Sequence, residues 1–294
     1  MKAYLYPGQG FQYVGMGKRL YDEHPAARDL FEYANELLGF RITDIMFQGP
    51  EEKLLETTIT QNAIFLVSLL QSLKDGSRFQ PDCVAGHSLG ETTALVACQA
   101  LSFEDGLLLM AERSVEMEKA FRAKPAKMVA ILGMSDEQVV MCLRQVEGLV
   151  VPANYNCPGQ LVIAGEKEAV EEACEILRQH GARRLVELKV GGAVHSPLMQ
   201  PVADYLEKKL RTIEFRPPVC PIYPNVTGKA TTDVEEIRNC LILQQVKPLL
   251  WQPTIENMIY DGVTEFVDCG PPHVISGMVR RINAEVAVTS SVYV

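Results

Sequence analysis

A serine between two glycines is the best-placed nucleophile in this chain. The segment Gly86-His87-Ser88-Leu89-Gly90 matches the pattern G-x-S-x-G, in which small flanking residues allow a strained turn that exposes the serine hydroxyl. A five-residue pattern also arises by chance. Here, however, the short apolar run Cys83-Val84-Ala85 precedes the motif and a helical pattern follows it at once. We therefore predict a nucleophile whose neighbouring N–H groups, at a helix start, favour a developing oxyanion.

A serine hydroxyl needs a base at neutral pH, and the chain has five histidines. Three fit poorly: His24 lies beside a helix start, His180 ends a helix, and the side chain of His87 should point away from the serine. His195 is the better candidate and His273 the weaker one. A single histidine in a loop of small residues is nevertheless more often structural, so the residues alone leave this choice open.

The elements around these residues indicate an α/β fold with a parallel sheet. The run Ala3-Tyr4-Leu5-Tyr6 predicts a buried strand, and Pro7-Gly8-Gln9-Gly10 predicts a glycine turn after it. A strand, a sharp turn and a helix follow one another again at the serine. Further helical patterns cover about 28–38, 61–72 and 107–120.

The order of elements changes after Pro125. We predict, in order, a strand, a helix capped by Ser135, two strands joined by a loop, a helix and a strand. Their ranges are 127–134, 136–146, 149–153, 160–164, 167–180 and 184–190, with the loop at 154–159. This βαββαβ order is typical of a ferredoxin-like unit. The sequence therefore predicts a large hydrolase-like α/β domain, residues 1–123 and 191–294, with an inserted ferredoxin-like small domain, residues 124–190.

Composition narrows the class of protein. A chain of 294 residues with 47% hydrophobic content can bury a substantial core. No run approaches the roughly 20 apolar residues of a membrane span and no signal peptide is evident, so we expect a cytoplasmic protein. The eight cysteines form no Cys-x-x-Cys pair, which favours buried free thiols over a metal or redox site. A net charge of −9 argues against a nucleic-acid binder.

Several motifs occur in the order and at the spacing of one known family. They are Pro7-Gly8-Gln9-Gly10, Thr60-Gln61, Gly86-His87-Ser88-Leu89-Gly90-Glu91, Asn154-Tyr155-Asn156-Cys157-Pro158-Gly159-Gln160, His195-Ser196-Pro197-Leu198-Met199 and Asn225-Val226-Thr227. With them the chain resembles malonyl-CoA:acyl-carrier-protein transacylases from end to end. The resemblance implies transfer of a malonyl or related acyl group from coenzyme A to the phosphopantetheine thiol of an acyl carrier protein, in fatty-acid or polyketide biosynthesis. It implies no metal and no cofactor beyond the thioester substrate.

The resemblance also assigns catalytic roles. It makes Ser88 the nucleophile and His195 the base, with the backbone carbonyl of Gln244 as the third group. The amides of Leu89 and Gln9 are expected to bind the oxyanion, which fits two glycine turns that converge on one hydroxyl.

Five residues are expected to bind the acyl group. Arg113 matches the family arginine that pairs with the malonyl carboxylate, although a lone arginine in a helix is more often a solvated charge. Gln61, Met117, Val194 and Phe11 are expected to line the pocket. Phe11 stands where Ser or Ala is usual, and Val194 where malonyl-selective members carry Phe, so a wider acyl selectivity stays open.

Three alternative functions are considered beside malonyl transfer. A hydrolase that clears acyl groups from carrier proteins could share this scaffold, although retention of Arg113 argues against it. A trans-acting polyketide acyltransferase with altered selectivity and a non-catalytic docking subunit are the others. For docking, an acidic carrier protein requires a local basic patch on this acidic chain. The candidates are Arg183-Arg184 with Lys189, and Arg280-Arg281, each of which is more often a solvated face.

Overall fold

A computed structural model of the chain describes residues 1–10, 12–74, 76, 79–270 and 274–290. The strands in these residues are β1 (Lys2–Tyr6), β2 (Cys83–Gly86), β3 (Ala126–Leu132), β4 (Val150–Cys157), β5 (Gln160–Glu166), β6 (Arg184–Glu187), β7 (Glu265–Asp268) and β8 (Ala287–Ser290). The helices are α1 (Lys18–Glu23), α2 (Pro25–Leu38), α3 (Ile42–Gln48), α4 (Glu51–Leu54), α5 (Thr57–Leu73), α6 (Gly90–Ala97), α7 (Phe103–Ala123), α8 (Asp136–Leu143), α9 (Lys167–Gln179), α10 (Gln200–Leu210), α11 (Val234–Leu243), α12 (Trp251–Tyr260) and α13 (Val274–Ile282). A short 3-10 helix, Pro197–Met199, precedes α10.

The first sheet is parallel and has the order β2-β1-β7-β8. Strand β1 lies between β2 and β7, and its successive side chains point to opposite faces of the sheet. Tyr4 and Tyr6 pack into the core that contains α5 and α7, whereas Ala3 and Leu5 pack with α12 and α13. Helices therefore cover both faces of the sheet, which confirms the predicted α/β class.

The second sheet is antiparallel and has the order β4-β5-β3-β6. Val129 and Ile131 of β3 pack with α8 and α9. Met128 and Ala130, on the opposite face, pack into the core of the parallel sheet. This separate antiparallel sheet, with two helices on one face, confirms the ferredoxin-like part of the predicted fold. The boundaries of the inserted domain, 124–190, stay a prediction.

The predicted loop at 154–159 is largely wrong. β4 continues through Cys157, and only residues 158–159 separate it from β5. Two asparagines in this segment disfavour a strand, but pairing with β5 and a hydrogen bond from Tyr155 N–H to the Leu249 carbonyl (2.9 Å) hold it extended. Register shifts on both sides of Tyr155 accommodate it.

Two further features concern the whole described chain. All eight cysteines are free and buried, as predicted. No helix within the described ranges is long and apolar enough to cross a membrane.

Candidate active site

Ser88 occupies the sharp turn between β2 and α6. Its φ is 55°, in the left-handed region that a non-glycine residue adopts only under constraint. Gly86 permits the turn, because a Cβ there would lie 1.9 Å from the backbone of Gly90. The serine is half-buried, at the wall of a cavity. This is the geometry that the G-x-S-x-G pattern predicts.

His195 lies beside this serine, in the loop before the 3-10 helix. Its Nε2 is 2.9 Å from Ser88 Oγ and its Nδ1 is 2.7 Å from the Gln244 carbonyl oxygen. A carbonyl only accepts, so Nδ1 carries the proton of the neutral ring and Nε2 presents its lone pair to the serine hydroxyl. Burial lowers the pKa of His195 to about 3, against the opposing effect of the Gln244 hydrogen bond. The ring is therefore neutral at physiological pH.

The loop around His195 is held by its own hydrogen bonds. His195 has a φ of 58°, and Ser196 Oγ donates to the Ala193 carbonyl (2.6 Å) and accepts from Leu198 N–H (3.3 Å). On the other side of the ring, Gln244 is the residue that ends α11. The acceptor for the histidine is thus a carbonyl at a helix C-terminus, where the carbonyl groups lack partners within the helix itself.

Asn225 fixes the serine turn, a role that sequence reasoning missed. Its Nδ2 donates to the Gly86 carbonyl (2.6 Å) and its Oδ1 accepts from Ser88 N–H (2.8 Å). Gln244 Nε2 also donates to Asn225 Oδ1 (3.2 Å). The only signal for it in the sequence was that Asn225-Val226-Thr227 is one of the motifs shared with the family.

The backbone amides expected to bind an oxyanion both border the cavity. Gln9 and Leu89 are among its lining residues. Within the described part of the chain, neither N–H donates to a protein acceptor. The two glycine turns also meet, because a Cβ on Gly8 would lie 2.9 Å from the His87 carbonyl oxygen. Gln9 and Leu89 therefore each bring to this cavity a backbone N–H that has no partner among the described residues.

The cavity itself has a volume of about 270 Å³. Three of the expected pocket residues, Gln61, Met117 and Val194, line it together with Ser88 and His195. The opposite wall comes from the antiparallel sheet, the segment after it and α13. Its lining side chains are Met128, Ala130, Asn154, Asn156, Gln160, Val162, Leu188, Val190 and Met278. Phe11, also expected here, lies outside the described residues.

Arg113 is buried but does not line this cavity. The residue is 3% exposed, so its interpretation as a solvated helix charge is wrong. Nε donates to Gln245 Oε1 (3.1 Å) and Nη1 to Gln61 Oε1 (2.8 Å), whereas Nη2 has no partner among the described residues. Burial lowers the pKa of the guanidinium to about 10, which leaves it charged at neutral pH. Arg113 is thus linked to the cavity by its hydrogen bond to Gln61, which lines it.

Of the other histidines that the structure describes, none forms a hydrogen bond with the Ser88 hydroxyl. His87 Nε2 is 2.9 Å from Asn156 Oδ1, and its ring packs edge-on against Trp251. His24 is the residue before α2 and His180 the one after α9, as expected. His273 lies outside the described residues. Over the part of the chain that the structure describes, no group of three His, Cys, Asp or Glu side chains could hold a metal ion.

Similarity to known proteins identifies the family. The family model described as the acyl transferase domain matches residues 3–279. A malonyl CoA-acyl carrier protein transacylase of Bacillus subtilis is 40% identical over 286 residues, which cover 96% of this chain and 90% of that protein. This chain belongs to the malonyl CoA-acyl carrier protein transacylase family. A member from Haemophilus influenzae is 37% identical over 293 residues, which cover 98% of this chain and 94% of that one.

Solved structures of the transacylase family have the same fold. A malonyl-transacylase in complex with its type II PKS acyl-carrier protein has a TM-score of 0.95 and 35% identity, covering 98% of this chain and 95% of that one. The enzyme from Streptococcus pneumoniae has a TM-score of 0.93 and 38% identity, covering 99% and 95%.

Proposed function

We propose that this chain transfers a malonyl group from coenzyme A to the phosphopantetheine thiol of an acyl carrier protein, through an ester on Ser88. One observation carries the proposal. In a chain that belongs to the malonyl CoA-acyl carrier protein transacylase family, a neutral His195 lies 2.9 Å from the Ser88 hydroxyl at the wall of a cavity.

The first half-reaction forms the acyl-enzyme. His195 Nε2 takes the hydroxyl proton as Ser88 Oγ attacks the thioester carbonyl, and the Gln9 and Leu89 amides bind the oxyanion. The C–S bond then breaks, and the leaving coenzyme A sulfur takes the proton back from His195. In the second half-reaction the carrier-protein thiol follows the same path in reverse. The reaction balances with the thioester as sole acyl donor, so it requires no further cofactor.

Gln61 and Arg113 are suited to select an acyl group with a free carboxylate. Among the described residues, Gln61 Nε2 has only the Met117 sulfur as an acceptor (3.3 Å), and a thioether accepts hydrogen bonds weakly. A carboxylate oxygen would be a stronger acceptor for this amide. The Arg113 guanidinium, hydrogen-bonded to the other end of Gln61, supplies the positive charge and an unpartnered Nη2.

The wall formed by the antiparallel sheet suits the pantetheine arm, which carries two amide groups on an otherwise apolar chain. Asn154 Oδ1 is buried without a hydrogen-bond partner among the described residues. Asn156 and Gln160 border the same space. An arm amide that donates to Asn154 would satisfy this oxygen.

A second groove, of about 550 Å³, suits the acidic body of a carrier protein. Arg183, Arg184 and Arg281 line it, and its described lining includes no carboxylate. Of the other candidates, Arg280 donates to the Val288 carbonyl (3.2 Å) and Lys189 is not among the lining residues. Uncompensated arginines on a chain of net charge −9 favour an acidic partner.

This basic groove adjoins the active-site cavity. Ala130 of β3 borders the cavity and Leu132, about 7 Å further along the same face, borders the groove. Arg281 donates to Gln160 Oε1 (3.1 Å), and Gln160 borders the cavity. A carrier protein bound here would present its arm to Ser88.

The test is a transfer assay with malonyl-CoA and an acyl carrier protein that carries phosphopantetheine. Malonyl-carrier protein should form as the main product, and the apo carrier, which lacks the thiol, should gain nothing. If free malonate were the main product with both carriers, the hydrolase alternative would replace this proposal. A cytoplasmic location is part of the same proposal, and fractionation of the host cell tests it.

A further inference from the structure

Glu91 is a buried carboxylate beside the nucleophile to which neither the sequence nor the proposed mechanism assigns a role. It lies in the first turn of α6, three residues after Ser88, and is 1% exposed. It forms no ion pair with any described lysine, arginine or histidine. Burying a carboxylate without a paired cation is costly, so its hydrogen bonds must offset that cost.

The hydrogen bonds of Glu91 converge on one oxygen. Oε2 accepts from the backbone N–H of Asn225 (2.8 Å) and from Nε2 of Gln244 (3.0 Å). These donors lie 134 and 153 positions away in the sequence. One carboxylate oxygen therefore joins two distant segments to the start of α6.

Each of the two segments holds one reacting side chain. Asn225 bonds the Gly86 carbonyl and the Ser88 N–H, so it fixes the turn that carries the hydroxyl. Gln244 accepts from His195 Nδ1 through its carbonyl, so it fixes the ring that contacts the hydroxyl. The Ser88 carbonyl (3.1 Å) also lies within hydrogen-bond distance of Gln244 Nε2, so the two hydrogens of this amide are shared among three acceptors.

We propose that Glu91 is a positioning residue for acyl transfer: its carboxylate fixes Asn225 and Gln244, and through them aligns Ser88 with His195. The inference rests on the proposed reaction at Ser88. Glu91 contacts neither the Ser88 hydroxyl nor the His195 ring, so it acts through the alignment of those groups alone. Without it the Asn225 N–H loses its acceptor, and the loop at Asn225 is joined to the end of α11 only by the hydrogen bond from Gln244 Nε2 to Asn225 Oδ1 (3.2 Å) among the contacts described above.

The role requires an acceptor oxygen and not a full negative charge. Burial raises the pKa of Glu91 to about 7, although its hydrogen bonds with Asn225 and Gln244 and the nearby charge of Arg113 act in the opposite direction. Both protonation states are thus populated near neutral pH, and each keeps an oxygen for the two donors. Glutamine keeps such an oxygen at the same distance from the backbone, whereas methionine fills similar volume and accepts only weakly.

The experiment compares Glu91→Gln and Glu91→Met with Glu207→Met, a control at a surface glutamate paired with Arg211. Single-turnover acylation of Ser88 is followed over a range of malonyl-CoA concentrations. Glu91→Met should lower the limiting rate constant about 100-fold, since misplacement of about 1 Å has that effect, while half-saturation changes less than about threefold. Glu91→Gln should stay within about fivefold of wild type and the control should equal it.

A second readout reports His195 directly. The Nδ1–H proton bonded to the Gln244 carbonyl gives a downfield NMR signal, identified by its loss in His195→Ala. The signal should persist in Glu91→Gln and shift or broaden in Glu91→Met. Thermal unfolding is measured for every variant, and Glu91→Ala replaces Glu91→Met if the latter does not fold.

The outcomes separate this inference from the proposed function. If wild type gained no acyl group, the proposed function would fail. If wild type reacted and the folded non-accepting variant matched its rate, the positioning role would be wrong. It would also be wrong if Glu91→Gln lost as much rate as Glu91→Met, or if the loss appeared in half-saturation alone.

Discussion

Replacement of Arg113 by methionine tests how the acyl group is chosen. Methionine keeps much of the aliphatic volume and removes the charge. Gln61 separates Arg113 from the cavity, so a malonyl carboxylate accepts from Arg113 only when the Gln61 side chain moves aside. A hydrogen bond to such a charged group contributes about 1.5–3 kcal/mol. Desolvation of the carboxylate offsets part of the gain from these hydrogen bonds. We therefore assign to the guanidinium a net stabilisation of the malonyl transition state of about 3 kcal/mol. That value corresponds to a loss of roughly 100-fold in kcat/KM for malonyl-CoA.

Acetyl-CoA provides the internal comparison, because it has no carboxylate. The slow acylation of Ser88 by acetyl-CoA should change less than about threefold in Arg113→Met. The ratio of malonyl-CoA to acetyl-CoA reactivity should therefore fall nearly as much as the reactivity of malonyl-CoA itself. The assay offers both thioesters together and measures the ratio of the two Ser88 adducts by intact-mass spectrometry. Arg122→Met is the matched control, because this arginine of the same helix has an 82% exposed side chain.

Loss of the guanidinium also leaves the Gln61 and Gln245 oxygens without their donors. Each unsatisfied buried oxygen costs about 1–3 kcal/mol of stability, so unfolding is measured in parallel. If Arg113→Met lost malonyl and acetyl transfer equally, damage to the fold would explain the result and the selectivity role would be wrong.

Three further changes are informative. Val194 lines the cavity, so Val194→Phe should narrow it and disfavour methylmalonyl-CoA against malonyl-CoA by about 1–3 kcal/mol in a competition assay; an unchanged preference would exclude a wider pocket. The pKa of His195 is lowered to about 3 in the folded protein. As pH falls below 6.5, this histidine therefore gains a proton in the unfolded chain but stays neutral in the folded protein. Stability from this group is therefore present above that pH and lost toward pH 3, and in urea unfolding His195→Gln should reduce the loss between about pH 7 and about pH 4.5 by about 2–3 kcal/mol. The double change Arg183→Glu with Arg184→Glu should raise KM for the carrier protein about tenfold and leave acylation by malonyl-CoA unaltered, whereas Arg211→Glu should change neither; equal effects on both substrates would contradict a carrier-protein site.

The serine turn could be predicted from its local causes, whereas the remote Asn225 that fixes it could not. Gly86 and Ser88 adopt their conformations within a few residues, and the apolar strand before them is visible in the sequence. The pairing with His195 needed the family resemblance, because the two residues are 107 positions apart. Composition and periodicity carry no information on such a contact.

Three features lay beyond prediction for the same reason. Asn154 and Asn156 suggested a loop, but pairing with β5 and the contact with Leu249 hold them in a strand at the cavity wall. The helix of Arg113 was evident, but its periodicity could not show that Gln61 separates the guanidinium from the cavity. Glu91 was visible only as the residue after the motif, since both of its donors come from remote segments.

The central claim is that Ser88 carries the acyl group as an ester, activated by His195. Incubation with malonyl-CoA alone, followed by intact-mass measurement and peptide mapping, tests it most directly. Wild type should gain one malonyl mass on the peptide that contains Ser88. Ser88→Ala should fold and gain none, and His195→Ala should gain it far more slowly. A malonyl adduct of equal yield on folded Ser88→Ala, or on a peptide that lacks Ser88 in wild type, would contradict the account.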